Sequence, residues 1–107
     1  MAAMHINNEQ FQELIQGKMP VLVDFWAPWC GYCRRIDPAY EKIAQQQSGG
    51  MVIAKVNIDE EPALAEAEKI DLIPTLVLYR EGQAIGSITA PGSKAEIDRF
   101  LLKALSQ

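Results

Sequence analysis

Cys30 and Cys33 are the only two cysteines of this 107-residue chain, and only Gly31 and Tyr32 separate them. A C-x-x-C pair can close a small, reversible disulfide ring or donate two thiolates to a metal ion. A zinc site would need two more ligands, for which the sequence offers only His5 and scattered carboxylates, so no metal is expected. The pair therefore favours reversible thiol–disulfide chemistry.

The flanking segments place this pair between a strand and a helix. Residues 21–26 form an apolar run typical of a buried strand, and residues 34–40 indicate a helix that begins just after Cys33. At such a helix N-terminus, unpaired N–H groups and the helix dipole lower the pKa of the Cys30 thiol. Cys30 is therefore predicted to be the attacking nucleophile and Cys33, one turn further on, the resolving thiol.

Asp24 interrupts the apolar strand with a charge. A buried, unpaired carboxylate is costly, so its pKa is expected to be raised. The alternative is an aspartate at a strand edge that faces solvent, which the apolar neighbours disfavour.

The two tryptophans are expected to have different roles. Trp29 directly precedes Cys30 and is predicted to be a half-exposed platform for partners. Trp26 lies three residues earlier on the strand and is predicted to pack beneath the site.

Hydrophobic periodicity and turn residues predict the order β-α-β-α-β-α-β-β-α in one domain, residues 1–107. Pro38 lies inside the second helix and is expected to kink it. The class is therefore α/β, with a mixed sheet of about five strands flanked by four helices. The predicted strands are 4–6, 20–26, 51–57, 75–79 and 83–89; the predicted helices are 8–17, 34–47, 62–69 and one opened by a capping box at Ser93 and Glu96.

Composition narrows the possible partners and location. The net charge of −4 argues against nucleic acid as a partner, since phosphate binding needs a basic surface. No stretch is long enough to span a membrane, and residues 1–6 lack the features of a signal peptide. The absence of further cysteines suits a reducing compartment, so we expect a cytoplasmic protein, although a removed leader would leave no trace. We also expect the protein to be a monomer.

Four segments of the chain resemble the thioredoxin family. Val23–Cys33 is similar to its active-site segment, and Ala54–Asp59 is similar to its following central strand. Ile73–Thr75 resembles its cis-proline loop, and Gly82 resembles its hairpin glycine. The resemblance implies the thioredoxin fold and an enzyme that reduces disulfides in protein substrates. It also implies that no bound cofactor is needed and that a thioredoxin-reductase-type donor supplies electrons.

The resemblance also implies roles for individual residues. Asp24 would exchange a proton with Cys33, with Lys55 of the neighbouring strand nearby; alternatively, Lys55 simply extends to solvent. Pro74, which local pattern alone would make trans, would follow a cis bond and pack against the cysteines. The Ile73 backbone would pair with an extended substrate segment. The substrate surface would comprise Trp29, Gly31, Tyr32, Ile73 and Pro74.

Three places depart from the family pattern. Gly31-Tyr32 replaces the usual Gly-Pro and is similar to the dipeptide of periplasmic disulfide isomerases. Tyrosine restores a backbone N–H that can stabilise the Cys30 thiolate, so we expect a reduction potential of about −200 to −260 mV, above the roughly −270 mV of thioredoxin. Asp71-Leu72 and Ala90-Pro91 add bulk beside the site and are expected to narrow partner choice, the reductase included.

Two alternatives to a reductase remain at this point. A less reducing potential would make the protein a disulfide oxidant or isomerase. A different class is a non-catalytic binding module, against which both cysteines and Asp24 argue. A glutaredoxin is disfavoured because the tryptophan-rich flank and Asp24 do not fit that pattern.

Overall fold

A computed structural model describes residues 2–47 and 49–107, and these residues contain five strands and four helices in the predicted order. The predicted turn at residues 48–50 includes Ser48, which lies outside the described residues. None of the helices in the described part of the chain is long and apolar enough to cross a membrane. The elements are β1 Met4–His5, α1 Asn8–Ile15, β2 Val21–Trp26, α2 Gly31–Gln46, β3 Val52–Asn57, α3 Pro62–Ala67, β4 Thr75–Arg80, β5 Gln83–Thr89 and α4 Lys94–Leu105.

The strands form one mixed sheet in the order β1-β3-β2-β4-β5. β1 and β2 both run parallel to β3, as the helical crossovers between them predict. β4 is antiparallel to β2 and forms a hairpin with β5. β2 is therefore a central strand, which explains its nearly continuous apolar sequence.

Alternate residues of the central strands enter two separate core layers. On one face, Leu22 of β2 packs with α2 and α4; on the other face, Val23 packs with α1 and α3. Tyr40 of α2 joins helix to sheet, since its hydroxyl lies 2.6 Å from Ala54 O and 3.1 Å from Leu22 O. This contact fixes the position of α2, whose N-terminus carries the cysteines.

The prediction that the second helix begins just after Cys33 was wrong. α2 begins at Gly31, because Cys30 has an extended conformation and its sulfur accepts the Cys33 N–H as an N-cap. The helix continues through Pro38 to Gln46.

Other boundaries moved by one or two residues. α1 ends at Ile15 rather than Gly17, since the carbonyls of both residues accept N–H groups from the β4–β5 turn. α3 ends at Ala67 rather than residue 69, because Lys69 has a left-handed φ of 59°. At α4, the Ser93 side chain accepts the Glu96 N–H, which is one half of the predicted capping box.

Candidate active site

Cys30 and Cys33 form a disulfide at the start of α2, with their Cα atoms 5.3 Å apart. Cys30 Sγ also accepts the backbone N–H of Cys33 at 3.1 Å. Cys30 is 9% exposed and Cys33 is 2% exposed, so Cys30 is the more accessible residue of the pair. The assignment of Cys30 as the nucleophile and Cys33 as the resolving thiol stays a prediction, with which this difference in exposure is consistent.

The segment before β4 lies beside the disulfide. The Ile73–Pro74 peptide bond is cis, as the resemblance implied and contrary to the local pattern. The Ile73 carbonyl oxygen lies 3.9 Å from Cys30 Sγ, and Pro74 is buried. The Ile73 main chain is therefore next to the sulfur at which exchange would occur.

Tyr32 closes one side of the site. Its hydroxyl donates a hydrogen bond to Pro91 O at 2.9 Å, and the Arg35 guanidinium lies 5.8 Å from its ring centre. Ala90, before that proline, has a φ of 48° and donates its N–H to Pro74 O at 2.8 Å. Two of the three dipeptides that depart from the family pattern, Gly31-Tyr32 and Ala90-Pro91, therefore contact each other, which the sequence did not show.

Trp29 and Gly31 form the exposed rim. Trp29 is 66% exposed, more than the predicted half, and its Nε1 donates to the Asp59 carboxylate at 3.2 Å. Gly31 is exposed. Leu72, 67% exposed, adds an apolar side chain to the segment before Ile73.

Asp24 is buried, 1% exposed, and its Oδ1 has no hydrogen-bond partner among the described residues. Burial raises the pKa of Asp24 from the usual 3.8 to about 7. Lys55 partly opposes this shift, whereas the negative charges of Asp37 and Glu41 add to it. The alternative of a solvent-facing strand-edge aspartate is therefore wrong.

Lys55 pairs with Asp24 in strand register, but its ammonium forms an ion pair with Asp37 of α2. Its side chain is only 7% exposed, so the alternative that it extends to solvent is also wrong. The ammonium lies 4.6 Å from the centre of the Trp26 ring, which is partly buried beneath the site as predicted.

Sequence reasoning missed Asp37. The spacing of four residues from Cys33 could have indicated it, because residues four apart on a helix lie on the same face. Asp37 and Cys33 line one cavity of about 330 Å³ together with Asp24, Trp26, Arg34 and Lys55.

Arg34 itself turns to the preceding loop and donates to Pro28 O at 2.6 Å. In the described part of the chain, no group of three or more His, Cys, Asp or Glu residues is placed to hold a metal.

The family model named thioredoxin matches residues 2–103. The chain belongs to the thioredoxin family. It is 41% identical over 105 residues to thioredoxin 1 of Nostoc sp., an alignment that covers 97% of this chain and 98% of that protein. It superposes on the crystal structure of Malassezia sympodialis thioredoxin with a TM-score of 0.88 at 29% identity, covering 97% and 94% of the two chains.

A third relative combines two activities in one chain. The bifunctional thioredoxin reductase/thioredoxin of Mycobacterium leprae is 37% identical over 91 residues, which are 85% of this chain and 20% of that protein. With family membership and the Cys30–Cys33 pair, this thioredoxin-family protein is a thiol–disulfide oxidoreductase. Neither the family model nor these relatives favour an oxidant, an isomerase or a non-catalytic module.

Proposed function

We propose that this thioredoxin-family protein reduces disulfides in protein substrates. The observation that carries the proposal is the disulfide at the N-terminus of α2, whose more exposed residue, Cys30, has its sulfur beside the Ile73 main chain. An extended substrate segment that pairs with the Ile73 backbone would present its own disulfide to Cys30. Trp29, Gly31, Tyr32 and Pro74 would complete the substrate surface.

The reaction transfers two electrons in two exchanges. The Cys30 thiolate attacks one sulfur of the substrate disulfide, forms a mixed disulfide, and releases the other substrate sulfur as a thiolate. Cys33 then loses its proton and its thiolate attacks Cys30 Sγ. The second substrate sulfur leaves as a thiolate, which takes a proton from solvent, and the Cys30–Cys33 disulfide forms.

Asp24 is proposed as the acceptor of the Cys33 proton. It lines the same cavity as Cys33, and burial places its pKa at about 7. A carboxylate with a pKa near the working pH is a stronger base than an ordinary aspartate and is still substantially ionised. Proton transfer across this cavity would generate the resolving thiolate when the mixed disulfide needs it.

We further propose that a thioredoxin-reductase-type donor reduces the resulting disulfide and that the protein works as a monomer in the cytoplasm. The fused relative from Mycobacterium leprae supports such a donor, because it joins a reductase and a thioredoxin in one chain. Two cysteines, both in the active pair, suit a reducing compartment. The Tyr32–Pro91 contact lies beside the disulfide, on the surface that a reductase would bind. We therefore expect few reductases to accept this protein as a substrate.

Substitution of each cysteine tests the proposal. Using insulin as a disulfide substrate and dithiothreitol as the electron source, we expect Cys30→Ser to abolish catalysed reduction. Cys33→Ser that is reduced, freed of dithiothreitol and then mixed with insulin should accumulate a mixed disulfide that mass spectrometry detects at Cys30 and that fresh dithiothreitol releases. Catalysis by Cys30→Ser at the rate of the unmodified protein would contradict the proposal.

The direction of electron flow is tested by the equilibrium reduction potential of the cysteine pair, followed by tryptophan fluorescence in graded thiol buffers. A value more negative than about −200 mV supports net reduction. A value near −200 mV or above, on the order of that of disulfide isomerases, would contradict it.

A further inference from the structure

The structure places three charged side chains around the cavity behind Cys33. Asp24 comes from β2, Lys55 from β3 and Asp37 from α2. The Lys55 ammonium forms an ion pair with Asp37, and no ion pair joins it to Asp24 among the described residues. The cation that could neutralise the buried aspartate is therefore bound elsewhere.

The fold brings both carboxylates within reach of this ammonium. Asp24 and Lys55 are direct partners in the parallel β2–β3 register. Asp37 lies one helical turn beyond Cys33, on the face of α2 that lines the cavity. The Asp37 side chain is 36% exposed, whereas that of Lys55 is 7% exposed, so the pair extends from the core towards solvent.

The two carboxylates compete for the same cation. A full ion pair with Lys55 would stabilise the Asp24 carboxylate and weaken it as a base. With Lys55 held by Asp37, Asp24 Oδ1 has no partner, and the Asp37 charge itself opposes ionisation of Asp24. Glu41 of α2 also opposes ionisation of Asp24. Tyr40 of the same helix stays neutral, because burial and the nearby Asp24 raise the pKa of its hydroxyl well above the ordinary value.

We propose that Asp37 is a positioning residue: it holds the Lys55 ammonium away from Asp24 and thereby sets the pH range in which Asp24 can accept the Cys33 proton. This inference rests on the proposed role of Asp24. Among the described residues, the hydrogen-bond partner of the Asp37 carboxylate is Lys55, and Asp37 acts through that residue. Trp26 assists, because its ring provides a second contact for the same ammonium, at 4.6 Å.

The test titrates Asp24 directly. The carboxyl carbon of Asp24 is followed by NMR between pH 4 and pH 9 in the oxidised protein and in Asp37→Asn, which keeps the shape of the side chain but removes its charge. We expect the Asp24 midpoint to fall by about one pH unit in Asp37→Asn, since Lys55 can then turn to Asp24. The pH dependence of mixed-disulfide resolution should shift in the same direction.

Asp98→Asn on α4 is the matched control, because it also removes one carboxylate from an ion pair with lysine, Lys94. It should leave the Asp24 midpoint unchanged. An equal midpoint in Asp37→Asn and Asp98→Asn would overturn the proposal.

A second comparison separates positioning from the direct effect of the Asp37 charge. Asp37→Asn is repeated in a Lys55→Met background, or in Lys55→Gln if the first variant does not fold. We expect the drop in the Asp24 midpoint to be at least halved there, because the cation that Asp37 controls is gone. An undiminished drop would show that Asp37 acts by its own charge alone and would overturn the positioning role.

Failure of this inference is distinguishable from failure of the proposed function. The NMR titration reports on Asp24 without any turnover. If Asp24→Asn resolves mixed disulfides as fast as the unmodified protein, the proton-acceptor role fails whatever the titration shows.

Discussion

Asp24 lies in an environment that costs stability and that would suit the proposed proton acceptor. Its side chain is buried in β2 with one oxygen lacking a hydrogen-bond partner, a situation that soluble proteins generally avoid. The same burial raises its pKa to about 7, which suits a proton acceptor at neutral pH. We therefore interpret this buried acid as a functional residue whose environment is tuned by Lys55 and Asp37.

Replacement of Asp24 by Asn should slow the resolving step. The amide cannot accept the Cys33 proton, and general-base catalysis typically contributes about 10²–10⁴-fold, less where water can substitute. We expect at least about tenfold slower release of a preformed mixed disulfide at pH 7 in stopped-flow measurements. Formation of that mixed disulfide by Cys30 should change much less, and equal release rates in both proteins would contradict the assignment.

The N-terminus of α2 contacts the segment between β5 and α4, and these two segments carry Gly31-Tyr32 and Ala90-Pro91. Cys30 caps the helix, and Tyr32 in the first turn is bonded to Pro91 O across the groove. In the oxidised state the backbone N–H that contacts Cys30 Sγ is that of Cys33; the predicted effect of the Tyr32 N–H on the thiolate stays a prediction. The side chain and the backbone of Tyr32 can therefore be tested separately.

Two variants of Tyr32 separate these contributions. Tyr32→Phe keeps the backbone N–H and loses the bond to Pro91, so we expect a loss of about 1 kcal/mol in the free energy of unfolding and an unchanged reduction potential. Tyr32→Pro removes the N–H, and we expect the potential to fall towards about −270 mV. Chemical denaturation and thiol-buffer titration measure the two quantities. If both variants shift the potential equally, the backbone explanation is wrong.

At the scale of the whole molecule, the central position of β2 links the site to global stability. Leu22 and Val23 belong to opposite core layers, and Asp24 follows them on the same strand. Unfolding therefore exposes the carboxyl group and returns its pKa to the ordinary value. Because the folded pKa is the higher one, the folded protein retains a proton that the unfolded chain loses at intermediate pH.

This linkage predicts how stability depends on pH. The proton on Asp24 contributes fully to the free energy of unfolding below pH 3.8, and this contribution is lost as the pH rises to about 7. The total loss is up to about 4 kcal/mol. The asparagine side chain does not titrate, so Asp24→Asn should have a higher free energy of unfolding than the unmodified protein. We expect this difference to be larger at pH 8 than at pH 5. Guanidinium unfolding of both oxidised proteins at these two pH values measures the difference. An equal difference at both values would contradict the raised pKa.

Much of the fold could be predicted from the sequence because local patterns reflect local physics. The apolar run of β2, the strand periodicity and the turn residues predict the order of elements. Asp24 was predicted to be buried because its neighbours on the strand are apolar. The helix start was misplaced by three residues, since the capping role of Cys30 depends on a sulfur contact that propensities do not include.

The sequence by itself determined the cysteine pair, its place between strand and helix, and the buried acid, because each depends on neighbours within a few residues. Only the tertiary structure decided that Lys55 binds Asp37 rather than its strand partner Asp24, and that Tyr32 reaches Pro91. These contacts join residues that lie far apart in the sequence. The distances between each side chain and its competing partners are fixed only when α2 packs against the sheet.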